Sequence, residues 1–219
     1  MERATLQFLK DLKANNNREW FAENRDRYQA AVADFHDFTA GLIQATRKID
    51  PAIGFVTPKE TIFRIFRDVR FGKDKSPYKP NFGAFIARGG RKGNRAGYYV
   101  HIESGGASMI AGGIYMPPSP VLKQLRDGIA EDAAPLRKLL KRAAFQRAFG
   151  TFHGEQLKTM PRGFAKDHPA GDLLRFKSYI VSHKLPDSAV LAKDFARKTL
   201  ADFKLLLPLT QHLNSQLAD

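Results

Sequence analysis

The stretch Gly97-Tyr98-Tyr99-Val100-His101-Ile102-Glu103-Ser104-Gly105-Gly106-Ala107-Ser108-Met109-Ile110-Ala111-Gly112-Gly113-Ile114-Tyr115 decides the fold. Side chains alternate across a strand, so Tyr99, His101 and Glu103 fall on one face and Tyr98, Val100 and Ile102 on the other. Ser104-Gly105-Gly106 is a hairpin-type connector to a second run, Ser108–Tyr115. Upstream, Thr61–Asp68 and Asn81–Arg88 read as two further strands, the latter followed by Gly89-Gly90 and Gly93-Asn94. Downstream, Ser178–His183 reads as a fifth. Short consecutive strands joined by tight turns predict a mostly antiparallel sheet. The Gly112-Gly113 pair inside a strand predicts a bulge or a close backbone approach.

On either side of this block the period changes to that of helices. Leu6, Leu9 and Leu12 recur every three residues behind Thr5, a predicted N-cap. Asn16 and Glu19 have capping-box spacing, which predicts a second helix from about Asn17 to Asp50-Pro51. Its stripe of Trp20, Phe21, Tyr28, Val32, Phe35, Phe38, Leu42 and Ile43 reads as core. Ser119-Pro120 opens another helix carrying Leu122, Leu125 and Ile129, and one more begins near Asp132 with Leu136, Leu139 and Leu140. Phe149–Lys177 looks irregular. Asp187 or Ser188 is expected to cap a long C-terminal helix that Pro208 kinks or splits. No linker divides the chain, so the expectation is one α+β domain over residues 1–219. Its central, mostly antiparallel sheet is flanked by N-terminal and C-terminal helices.

Composition narrows the chemistry. The 219 residues include 36 Lys and Arg against 22 Asp and Glu, a formal charge of +14, and no cysteine. The lack of cysteine excludes a disulfide scaffold, thiolate catalysis and every cysteine-based zinc site. Apolar runs such as Leu205–Leu207 fall far short of the roughly 18 residues of a membrane span. Met1–Thr5 lacks the apolar core and cleavage site of a signal peptide. A cytoplasmic protein with no membrane contact is expected. The charge is concentrated: residues 59–95 hold Lys59, Arg64, Arg67, Arg70, Lys73, Lys75, Lys79, Arg88, Arg91, Lys92 and Arg95 against Glu60, Asp68 and Asp74. Such a field attracts phosphate, nucleic acid or an acidic partner.

Two constellations carry the candidate chemistry. In the first, a strand over Ile62–Asp68 sets Arg64, Phe66 and Asp68 on one face and Ile65 and Arg67 on the other. Arg70, Lys73, Lys75 and Lys79 follow on a loop punctuated by Gly72 and Pro77. Arg supplies a fork that fits phosphate or carboxylate, and Lys a point charge. The structural alternative is that Arg67–Asp68 and Lys73–Asp74 ion pairs simply pin the loop. In the second, His101 lies beside a phenol, Tyr99, and a carboxylate, Glu103, a grouping suited to general acid–base work. No second histidine stands near it in sequence, so no metal site is expected. Neither glycine cluster matches a P-loop or the dinucleotide-binding pattern.

These words also carry a resemblance. Asn15–Phe21, Ile62–Phe71, Asp74–Lys79, Tyr98–Ile102, Gly112–Tyr115, Pro161–Phe164, Asp167–Pro169, Leu174–Ser178 and Leu207–Leu209 run nearly the whole chain. Through them the sequence resembles the DUF2461 family of conserved hypothetical proteins. The family pattern has Ser where Gly72 stands and Pro where Ser104 stands. The resemblance implies a single α+β unit of about this length and no particular reaction, cofactor or partner.

The expected function is therefore binding of an anionic, phosphate- or carboxylate-bearing ligand through the basic loop and sheet. The expected contact residues are Arg64, Arg67, Arg70, Lys75, Tyr78, Lys79 and Tyr99. The alternatives are an enzyme acting on a phosphorylated small molecule, with His101 and Asp68 moving protons, or a nucleic-acid-binding protein. A third class, a basic face that meets an acidic protein, also stays open. The cofactor and the oligomeric state stay undetermined.

Overall fold

The computed structural model describes residues 1–68, 70 and 74–218. The chain opens with helices α1 (Arg3–Ala14), α2 (Arg18–Glu23) and α3 (Arg25–Ile49), then a short α4 (Pro58–Thr61). Strands β1 (Asn81–Ile86), β2 (Gly97–Glu103) and β3 (Ser108–Ile114) follow. Next come α5 (Ser119–Glu131), α6 (Ala134–Leu140), α7 (Ala143–Phe149) and α8 (Gly171–Leu174), then β4 (Tyr179–Leu185). The C-terminal part holds α9 (Asp187–Val190) and α10 (Phe195–Ser215). The strands form one antiparallel sheet in the order β1-β2-β3-β4. This is an α+β single domain with N- and C-terminal helices packed against the sheet.

Register explains which face is covered. Tyr98, Val100 and Ile102 pair with Ile86, Ala84 and Phe82, and all six are buried. Tyr179 and Val181 of β4 continue that inner face beside Ile110 and Ile114. Helices α3 and α10 lie over it: Phe35 stacks on Phe82 at 5.4 Å, and Phe203 on Tyr98 at 4.8 Å. Each such fully buried aromatic or aliphatic side chain contributes about 1.5–3 kcal/mol. The expected close approach in β3 is present at Gly113. It has φ of 116°, and a Cβ there would come 1.9 Å from the Tyr179 carbonyl.

Several local expectations are corrected. Thr61–Asp68 is not a strand of the sheet. Helix α4, opened by a Thr57–Glu60 capping box, ends at Thr61, and isolated bridges Ile62–Ala84 and Phe66–Tyr78 follow. The segment changes partner midway: Phe63 N donates to Gly83 O, whereas Arg67 N donates to Pro77 O. Pro77 and Pro80 carry no N–H, so this side of the pairing cannot build a full ladder. Ser178–His183 is accordingly the fourth strand rather than a fifth, running over Tyr179–Leu185. The predicted second helix is broken at Asn24, which closes α2 and opens α3. Its N-cap is Asn17, which accepts from Trp20 N at 2.8 Å, rather than Asn16.

Other caps shift for similar reasons. Thr5 lies inside α1, and its hydroxyl donates to Asp34 of α3, which also accepts from Glu2 N. Ser119 is the first residue of α5, behind Pro118. The Asp187 carboxylate accepts from Gly105 N and Gly106 N, tying down the β2–β3 turn, and the long helix starts only at Phe195. That helix continues through Pro208, with Phe203, Leu206, Leu209 and Leu213 buried on both sides of it. Packing along the whole apolar stripe offsets the single backbone bond that proline removes.

Candidate functional site

The Ile62–Asp68 run keeps the expected alternation although it makes only isolated bridges. Ile65 is 2% exposed, while Arg64 and Asp68 point outward and Phe66 is 51% exposed. The return run is held from the side by α1–α2. Asn16 Nδ2 donates to Tyr78 O at 2.9 Å, and Tyr78 N donates to Asn16 Oδ1 at 3.1 Å. The Tyr78 ring stacks on Phe21 with centroids 3.9 Å apart. Between these walls opens a cleft of about 590 Å³ lined by Asn16, Arg18, Phe66, Arg67, Lys75 and Tyr78, with Glu19 the one carboxylate among its described lining residues.

Arg67 dominates that cleft. Its Nη2 reaches Asp74 Oδ2 at 3.2 Å and Tyr78 O at 3.4 Å. Its Nε is buried with no partner among the described residues. A second pair among the described residues of the loop is Arg70 with Asp68, with side-chain hydrogen bonds of 3.0 and 2.8 Å, which hold the Asp68 carboxyl well below the usual carboxylate range. Asp74 is lowered mainly by hydrogen bonds from Ser76, with Arg67 adding to them. Among the described residues, Arg70–Asp68 and Arg67–Asp74 pin the loop, in place of the expected Arg67–Asp68 pair, because Asp68 is taken by Arg70. The expected Lys73–Asp74 pair, with Gly72 and Phe71, lies outside the described residues.

Lys79 stands beside this cleft. Its Nζ donates to Arg64 O at 2.9 Å and sits 5.9 Å from the Phe63 ring centroid. Burial lowers its pKa first, and the Arg64 and Arg67 charges lower it further. Arg64, Arg67 and Lys79 therefore share a positive field.

The second constellation lies on the other face of β2, and Phe63 connects it to the first. Phe63 packs edge-on against Tyr99, with centroids 6.1 Å apart. Tyr99 lies across Gly83 of β1, where a Cβ would come 2.6 Å from the phenol oxygen. Its hydroxyl is 3.2 Å from His101 Nδ1, and His101 Nε2 is 3.0 Å from Glu103 Oε2. Asn81 Nδ2 also approaches His101 Nδ1, at 3.3 Å, and Lys13 of α1 pairs with Glu103 at 2.8 Å. Burial pushes the Tyr99 hydroxyl up to about 12, helped by the Glu103 charge. Burial alone would raise the Glu103 carboxyl, but hydrogen bonds from Lys13 and His101 outweigh it and hold it low. An ionised carboxylate only accepts, so the imidazole proton sits on Nε2 and leaves Nδ1 as the acceptor for Tyr99. Chemically this is a hydrogen-bonded carboxylate–imidazole–phenol line.

The expected site residues therefore fall into four groups. Arg67, Lys75 and Tyr78 meet in the cleft. Arg64 and Lys79 flank it, and Arg70 is engaged with Asp68. Tyr99 belongs with His101. The two candidate proton carriers have separate partners, Glu103 for His101 and Arg70 for Asp68. Sequence reasoning missed Asn16 and Arg18 in the cleft wall, because the Asn15-Asn16-Asn17 run reads only as a helix break. Among the described residues no group of three His, Asp or Glu side chains could hold a metal ion. No helix among them is long and apolar enough to cross a membrane.

The family model of a conserved hypothetical protein, DUF2461, matches residues 4–212. The chain belongs to the DUF2461 family. The fold and the residue clusters above are thus those of a DUF2461 protein, and the resemblance carried by the sequence words is borne out. No curated protein matches the chain, and no solved structure does.

Proposed function

We propose that this DUF2461 protein binds an anionic small molecule, bearing phosphate or carboxylate, in the cleft between Asn16–Glu19 and Phe66–Tyr78. The observation that carries this reading is Arg67. Its buried Nε lacks a partner on the wall of an open cleft that Arg18 and Lys75 also line. A buried donor without an acceptor keeps its charge under-compensated, and the exposed part of the same guanidinium, 29% of the side chain, meets a planar anion in the cleft with charge-assisted bonds. Phe66 and Tyr78 offer apolar wall to the rest of such a ligand.

Calorimetry with inorganic phosphate and with citrate tests this. Arg18→Glu with Lys75→Glu should weaken binding at least tenfold and leave the apo thermal midpoint nearly unchanged, since both side chains are exposed. Equal loss of apo stability, with no change in anion affinity, would assign the cluster to folding. A labelled duplex that binds tightly, with a log–log salt slope of about −4 to −5, would replace the small-molecule reading with a nucleic-acid one.

The enzymatic reading has one observation in its favour, the Glu103–His101–Tyr99 line. Turnover of a generic phosphomonoester that is lost in His101→Gln while anion affinity stays intact would support it. Absence of turnover in the parent protein would set it aside.

A further inference from the structure

A second basic cleft lies in the irregular segment between α7 and β4. Its frame is held by main-chain bonds: Leu157 N donates to Arg175 O at 2.8 Å and Lys177 N to Glu155 O at 3.0 Å. Arg137 of α6 clamps the far side, donating to both oxygens of Asp172 at 2.9 and 2.6 Å and to Pro169 O at 3.1 Å. Helix α8 anchors the segment with Leu173 and Leu174 in the core. These ties frame an open cleft of about 880 Å³.

The lining is strongly one-signed. Lys158, Arg162, Lys166 and Arg175 line the cleft, and the one carboxylate among the described lining residues, Asp172, is already taken by Arg137. Glu155, in the same segment, is paired with Lys177. Lys158, Arg162 and Lys166 have no carboxylate partner among the described residues. Arg175 Nε is buried without any hydrogen-bond partner among them. His168 accepts from Ala170 N on Nδ1, so the ring proton sits on Nε2 and adds a donor to the lining. Phe164 supplies an apolar wall.

We propose that this cleft is a binding site for an organic di- or triphosphate. The volume exceeds what a single phosphate fills, and the surplus of cations matches a ligand carrying three or four negative charges. The guanidinium groups of Arg162 and Arg175 fork onto phosphoryl oxygens, Lys158 and Lys166 neutralise the remaining charge, and the organic part rests on Phe164. The site shares no lining residue with the cleft at Arg67. It approaches the sheet from the β4 side, whereas Tyr78 leads into β1.

Calorimetry on the full chain with phosphate, pyrophosphate, tripolyphosphate and ATP tests the assignment. Affinity is expected to climb with charge from phosphate to tripolyphosphate, and ATP is expected to bind at least as tightly as tripolyphosphate. Arg162→Glu with Lys166→Glu, both exposed positions, should lower tripolyphosphate affinity at least tenfold. The same pair should leave untouched any phosphate binding that Arg18→Glu with Lys75→Glu abolishes. Reversal of two exposed lysines elsewhere, Lys193→Glu with Lys204→Glu, should change tripolyphosphate affinity less than threefold. The proposal is overturned if tripolyphosphate does not bind, if the cleft variant binds it normally, or if the remote pair weakens it equally. Loss of binding at the Arg67 cleft alone leaves this site standing.

Discussion

On the inner face of β2 the Tyr98 hydroxyl lies 2.8 Å from Asp50 Oδ2 and 3.1 Å from Thr210 Oγ1. One residue later, on the outer face, the Tyr99 hydroxyl reaches His101, which reaches Glu103 and through it Lys13. Both lines contain a phenol and a carboxylate, and burial raises both phenols. They differ in what surrounds them. Asp50 is 4% exposed and Tyr98 is fully buried, so their bonds join the end of α3 to α10 above the inner face of the sheet. On the outer line the side chains of His101 and Glu103 keep 12% and 16% of their surface, and Lys13 is largely in water. A polar network sealed in a core contributes stability because its members have no alternative partner. One that borders solvent exchanges a lost partner for water, which leaves it available for ligand chemistry.

The sharpest way to break this comparison is to remove the packing above the inner line. Phe203→Ala, which deletes the ring stacked on Tyr98, should cost about 3–5 kcal/mol in urea unfolding. A loss under 1 kcal/mol would mean that α10 is not fastened there.

Next come the two hydroxyls themselves. Tyr98→Phe leaves Asp50 short of a buried partner and should cost about 1–3 kcal/mol. Tyr99→Phe should cost less than about 1 kcal/mol, because Asn81 and solvent can serve His101 Nδ1. Equal costs would make the outer line a structural device, and the contrast drawn above would fail.

The smallest effect should be a dependence on pH. His183, on the inner face of β4, bonds Asp202 of α10 at 3.0 Å and packs against Phe149. The Asp202 hydrogen bond raises its pKa above the ordinary 6.5, against the opposing effect of burial. A raised folded pKa stabilises the native state fully below the unfolded value, and that contribution is lost as pH rises through the folded one. The urea midpoint of the parent should therefore fall modestly from pH 5.5 to 8. His183→Gln should flatten that part of the profile; an unchanged slope would exclude His183 as its source.

How much of this was legible before any coordinates can be seen residue by residue. The alternation in 97–103 separates Tyr98 from Tyr99 correctly, because a strand has period two and one face of this sheet is buried. The same rule places Ile65 inward and Arg64 outward. It fails to say that Thr61–Asp68 lies outside the ladder, since pairing depends on a partner run whose prolines withhold their donors. Arg67, Lys75 and Tyr78 were readable as a basic cluster, but Asn16 and Arg18, some sixty residues earlier, were not. Any of three consecutive asparagines can cap a helix, and it is the contact with the Tyr78 backbone that leaves Asn17 as the cap.

Local chemistry alone therefore determined the α+β class, the antiparallel order of the hairpin strands, the two faces of β2 and the concentration of positive charge in residues 59–95. These depend on periodicity and on near neighbours, which the order of residues specifies directly. Only the tertiary structure decided which carboxylate answers which cation and that Asp187 holds a turn instead of opening a long helix. It also decided that α10 runs through Pro208 and that residues 158–175 line a second basic cleft. Each of these is a contact between distant segments. Its free energy depends on packing and on which donors and acceptors remain unpaired once the chain is folded.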